Sequence, residues 1–174
     1  MNDLTASKLG TSPEQATVRL ERVLPGPIER VWAYLTDAEK RKTWLAGGVF
    51  DLRVGGTADL HFDHSNITSE KYPDGKAPHD CLGKITRIEP PRLLSFTFGA
   101  AGPESEVTFE LEPEGKGVRL TITHVRIANR NTMIGVASGW DAHVGILEDR
   151  LNGEEPRPFW SNHARLKKEY EARL

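Results

Sequence analysis

Cysteine is nearly missing from this chain: Cys81 is the single one among 174 residues. One thiol excludes an internal disulfide framework and fits a reducing compartment. Neither charge dominates, since 23 Lys and Arg face 25 Asp and Glu for a formal net charge of −2. The chain as a whole therefore has no attraction for nucleic acid or an anionic membrane surface. No apolar run approaches the ~18 residues of a membrane span, and the opening MNDLTASKLGTSPEQ lacks the apolar stretch of a secretory signal. The expectation is a cytoplasmic protein with no nucleic-acid partner and no integral membrane association. Signatures of chemistry are also scarce. There is no GxSxG, no HExxH and no zinc-type His/Cys spacing, and Gly55-Gly56 lacks the Lys-Ser/Thr ending of a phosphate loop. No metal or cofactor is expected from these residues.

What is present is patterned. Residues 1–15 are small and polar without periodicity and read as a flexible tail; residues 16–174 suffice for one domain with a real core. Thr17 to Val23 alternates polar and apolar, as a strand with one buried face does. PGPIERVWAYLTD follows with Ile28, Val31, Trp32 and Leu35 at helical spacing, and Thr36 or Asp37 caps a second short helix ending near Trp44. Val49–Arg53 and Thr57–His64 flank Val54-Gly55-Gly56 and predict a hairpin, with Ala58, Leu60, Phe62 and His64 on its buried face. Strands are expected over about His79–Ile88, Leu93–Phe98, Glu104–Glu112 and Val118–Arg126, with a bulge between Ile85 and Ile88. Short connections make most of them antiparallel neighbours. Around Trp140, the residues Val136, Ala137, His143, Val144, Leu147 and Leu151 fall within about 60° of one direction at helical pitch. This predicts an amphipathic helix over Gly139–Leu151 that covers the apolar face of the sheet. Glu148 and Asp149 lie on its outer side and are expected to be solvated; Gly145, off the stripe, reads as a tolerated defect. A last helix from about Ser161 carries Leu166, Tyr170 and Leu174 on one stripe, with Arg165, Lys167 and Lys168 between.

This α+β order resembles the START-like, or SRPBCC, helix-grip superfamily, and within it the group named after the activator of heat shock protein 90 ATPase. PGPIERVWAYLTD, LRVGGTADLHF, LGKITRIEPPRLLSFTF, SEVTFELEPEGKGVRLTITH and SGWDAHVGILEDRL carry the resemblance in the family's order, over about Ala16 to Leu151. It implies a curved antiparallel sheet of about seven strands gripping a long C-terminal helix, with two short helices after the first strand. It also implies a hydrophobic cavity between sheet and helix, which composition does not show.

On that implication Trp44, Phe62, Phe96, Phe98, Phe109 and Trp140 are candidate aromatic walls, joined by Val144 and Leu147. The same aromatics would serve equally as ordinary core. His64, His124 and His143 are candidate polar contacts to a ligand, and His79 begins a strand with an inward-facing position. Cys81 is expected to be packed rather than reactive. The leading expectation is a non-enzymatic module that binds a small hydrophobic molecule, of lipid or aromatic, polyketide-like kind. One alternative is a polyketide cyclase-like enzyme using His124 or His143 as acid or base; no catalytic residue is assigned. Another is a chaperone ATPase regulator, set back because eukaryotic activators carry a further domain ahead of the one this chain resembles. A homodimer is left open.

Overall fold

The computed structural model describes residues 9–13 and 15–174. Seven strands and four helices organise them. β1 (Val18–Pro25) leads through Pro27 into α1 (Ile28–Thr36), whose Val31 and Leu35 are buried. Asp37 caps α2 (Ala38–Arg41) by accepting from the backbone N–H groups of Glu39 and Lys40. Next come β2 (Leu60–Phe62), β3 (His79–Cys81), β4 (Ile85–Glu89), β5 (Leu93–Thr97), β6 (Glu106–Glu114) and β7 (Gly117–Val125). The chain ends in α3 (Arg130–Leu151) and α4 (Phe159–Arg173).

The strands form two antiparallel sheets, a five-stranded one in the order β1-β7-β6-β5-β4 and a ribbon of β2 and β3. Alternation places Leu94 and Phe96, Val107, Phe109 and Leu111, and Leu120, Ile122 and His124 inward, and all are buried. The register shift expected near Ile85 lies between Ile85 and Arg87. Two expectations need correction. The strand of His79–Ile88 is two strands, because the chain changes sheets at Gly83, where an added Cβ would lie 2.2 Å from the Thr97 carbonyl oxygen. The hairpin before it turns at Gly55, whose φ of +84° suits glycine, but its first arm is reduced to the bridge Phe50–Ala58. Arg53 donates its backbone N–H back to Asp51 only two residues away, and the ladder cannot continue. Of the segment read as a tail, residues 1–8 and 14 lie outside the described residues. Leu9 is buried and Thr11 bridges Arg19 on the edge strand β1.

α3 differs most from expectation. It begins at Arg130, nine residues before Gly139, where Asn129 accepts from the N–H and hydroxyl of Thr132. It is buried on more than one side because α4 packs against it as well as the sheet. There Tyr170 donates its hydroxyl to Asp141 at 2.6 Å, and Arg22 of β1 reaches the same carboxylate at 3.2 Å. Asp149, expected in solvent, is buried and receives the Arg157 guanidinium through two nitrogens at 2.8 and 2.7 Å. Gly145 gains a role from this pair. A Cβ there would stand 3.0 Å from Arg157 Nη1, so the missing side chain is the space through which Arg157 reaches Asp149.

Candidate functional site

The interior of the five-stranded sheet is filled by its own side chains. Phe96 meets Phe109 edge-on with centroids 5.6 Å apart, and Phe109 meets Trp140 edge-on at 5.5 Å. Val144 and Leu147 close the same core. Of these residues only Trp140 also lines the cavity of this region. The cavity lies to one side, between the N-terminal half of α3, the β2–β3 ribbon and the first turns of α4. Its volume is about 380 Å³, within the range of small-molecule sites.

Each wall has a local cause. α3 supplies Thr132, Gly135, Val136, Gly139, Trp140 and His143, residues three or four apart on one helical face. An added Cβ at Gly135 or Gly139 would meet nothing within 4 Å, so both glycines enlarge the cavity. Phe62 comes from β2 and His64 from the 3₁₀ turn after it, where Asp63 accepts from the N–H of Ser65. Lys76 and His79 stand at the end of the following loop and the start of β3. Phe98, Ala100 and Ala101 follow β5, while Phe159, Trp160 and His163 form the first turns of α4. The rings interlock. Phe62 stacks on His79 with centroids 5.0 Å apart, and His64 lies 4.7 Å from both Phe159 and Trp160.

Of the residues the sequence nominated, Phe62, His64, Phe98, Trp140 and His143 line this cavity together. Trp44, Phe96, Phe109, His124, Val144 and Leu147 are buried away from it. Trp44 donates its indole N–H to the Tyr34 carbonyl oxygen at 2.8 Å and offers its own carbonyl oxygen to His143. That part of the chain is held by Arg41, which is fully buried and donates to the carbonyl oxygens of Leu35, Thr36, Ala46 and Gly48. Burial lowers its pKa to about 10, so it stays charged at neutral pH. No periodicity or motif in the sequence marks that interior cation. Lys76, Thr132, Phe159, Trp160 and His163 were not nominated. The C-terminal stripe drew attention to Leu166 and Tyr170, which face α3, and away from the helix's first turns.

Donor and acceptor chemistry fixes the histidine tautomers. The indole of Trp140 can only donate, and it reaches His124 Nδ1 at 3.0 Å; His124 therefore carries its proton on Nε2 and gives it to Ser105 Oγ. His124 thus stands behind Trp140 with both nitrogens satisfied. His143 has the opposite tautomer, because its Nδ1 lies 2.8 Å from the Trp44 carbonyl oxygen, which can only accept. Its Nε2 must then accept from His64 Nε2–H at 3.3 Å. This leaves His64 Nδ1 as a bare acceptor. It and the donor Trp160 Nε1 are buried with no hydrogen-bond partner among the described residues.

All of these imidazoles are neutral near pH 7. Burial lowers His124 to about 4. Burial, then His79 and His163, lower His64 to about 4 against the opposing pull of Asp63. Burial, then His64, lower His143 to about 3, although its bond to Trp44 acts the other way. His163 is lowered by burial and by Lys76 and Lys167. Cys81, buried at the end of β3, has its thiol raised by burial and is packed, as expected. The described residues contain no group of three or more His, Cys, Asp or Glu that could hold a metal ion.

The profile of the family described as Activator of Hsp90 ATPase homolog 1-like protein matches residues 25–152. The chain belongs to this family. Among solved structures it is similar to the BPP1335 protein of Bordetella parapertussis, at 44% identity and a TM-score of 0.81, covering 95% of this chain and 90% of that one. It shares the family's fold with CalU16 of Micromonospora echinospora, at 24% identity and a TM-score of 0.67, covering 90% of this chain and 86% of that one. A third similar structure is the Aha1 dimer of Colwellia psychrerythraea, 17% identical with a TM-score of 0.58, covering 78% of this chain and 95% of that one. No curated protein matches the chain. No helix among the described residues is long and apolar enough to cross a membrane.

Proposed function

We propose that this member of the family binds a small apolar molecule, with a flat aromatic portion, in the cavity beside Trp140, and that binding rather than catalysis is its role. One observation carries the reading: a space of about 380 Å³ is walled by Phe62, Phe98, Trp140, Phe159 and Trp160, with two glycines of α3 open to it. Filling it removes aromatic and aliphatic surface from water at roughly 25 cal/mol per Å². The unpaired His64 Nδ1 and Trp160 Nε1 belong to rings of the same wall.

The test uses N-phenyl-1-naphthylamine, a neutral dye that fluoresces when it leaves water. The wild-type protein is expected to bind it saturably. Gly139→Leu extends a side chain into the empty space and at least a tenfold loss of affinity is expected, about 1.4 kcal/mol. The variant should melt no lower than wild type, because leucine is the better helix former by roughly 0.5–1 kcal/mol. No binding by the wild type, or equal binding by Gly139→Leu, overturns the reading.

A second reading, acid–base catalysis, is favoured by the His64–His143 pair on the cavity wall. At about 4 and about 3 these imidazoles are weak bases, and their tautomers are set by the Trp44 carbonyl rather than by a carboxylate. His143→Gln separates the two readings. A binding module keeps dye affinity within about an order of magnitude; an enzyme loses turnover of its substrate while still binding it.

A further inference from the structure

The cavity has a polar end, and its charge is of one sign. Lys76 is the one lysine or arginine among the lining residues, and no aspartate or glutamate contributes to the wall. Lys76 stands near enough to His163 and His64 to oppose the protonation of both, which helps to keep those imidazoles neutral. Three carboxylates of the surrounding segments are engaged elsewhere. Asp63 accepts from the N–H and hydroxyl of Ser65 and from the Tyr72 hydroxyl. Asp80 holds His61 Nδ1 on the outer side of the ribbon. Glu70 receives the N–H groups of Trp160 and Ser161 and the Ser161 hydroxyl at the start of α4. In a chain with 25 acidic residues, this cavity wall carries one lysine and four histidines and no carboxylate.

From this geometry we infer that the guest is an amphiphile with a negatively charged head, such as a carboxylate, seated against Lys76 and His163 while its apolar body lies along Phe62, Phe159 and Trp140. The inference rests on the cavity being a binding site and adds the chemical class of what it takes. An anionic head placed there supplies the counter-charge that the wall lacks beside Lys76, and a neutral ligand of the same shape does not. Because Lys76 is exposed, its attraction is that of a surface ion pair, up to roughly fivefold in affinity, and it weakens as salt screens it.

A matched pair of dyes tests this. 1-Anilinonaphthalene-8-sulfonate is N-phenyl-1-naphthylamine with a sulfonate added, so the ratio of their two Kd values isolates the charge. The wild type is expected to prefer the anion by roughly fivefold at low ionic strength, with the preference shrinking in 0.5 M salt. In Lys76→Gln the ratio should approach one, and in Lys76→Glu it should invert. Binding of the neutral dye without any preference for the anion, or a ratio unmoved by Lys76→Glu, overturns the inference and spares the cavity. Binding of neither dye overturns the cavity reading and this inference with it.

Discussion

His124 and His143 carry the same side chain in opposite tautomers, each set by a neighbour that can only donate or only accept. With His64 they are three imidazoles whose folded-state pKa values, about 4, about 3 and about 4, lie below the unfolded value near 6.5. The sign follows from proton counting. Below pH 6.5 the unfolded chain takes up protons that the folded chain refuses, so stability is complete above that pH and drains as pH falls toward 4. Each histidine contributes a slope of about 1.4 kcal/mol per pH unit within that window. Urea unfolding at pH 7.5, 6 and 5 should show this decline before most carboxylates titrate; a flat profile from pH 7.5 to 5 would mean these imidazoles protonate freely when folded. Strand alternation made the inward direction of His64 and His124 legible in the sequence. It did not reveal that Trp140 stands between His124 and the cavity, because that depends on which ring fills the gap from another element.

At the scale of elements, the strands of the five-stranded sheet and the two short helices follow from periodicity and capping residues, while the segments around Gly55 and Gly83 do not. The long helix was legible only along its central stripe. Its first nine residues follow from the Asn129 cap on Thr132, and its second buried face depends on Asp141 and Asp149, whose partners Tyr170 and Arg157 lie beyond the helix's C-terminus, 29 and 8 residues on. A buried aspartate looks like a solvated one until its partner is placed. The glycines of α3 test this description. Gly139→Ala should stabilise the protein by roughly 0.5–1 kcal/mol through helix propensity alone, since its Cβ meets nothing. Gly145→Ala should gain measurably less or lose stability, because the new Cβ meets an Arg157 guanidinium fixed on Asp149. Equal gains for the two in urea denaturation would show that Arg157 yields freely.

For the molecule as a whole, the sheet's bowl is solid and the open space lies beside it, where the ribbon, α3 and α4 converge. The resemblance implied a cavity between sheet and helix. Its actual place is set by Phe96 and Phe109, which fill the bowl, and by α4, whose first turns complete the wall. Tryptophan indoles report on that arrangement directly. Trp140 and Trp160 line the cavity, whereas Trp32 and Trp44 do not. A titration with N-phenyl-1-naphthylamine followed through the four indole N–H resonances is the most direct measurement. The signals of Trp140 and Trp160 should move together and saturate while that of Trp44, bonded to the Tyr34 carbonyl, stays in place. Movement confined to Trp32 or Trp44, or no movement of any indole at saturating dye, would contradict a guest seated beside Trp140.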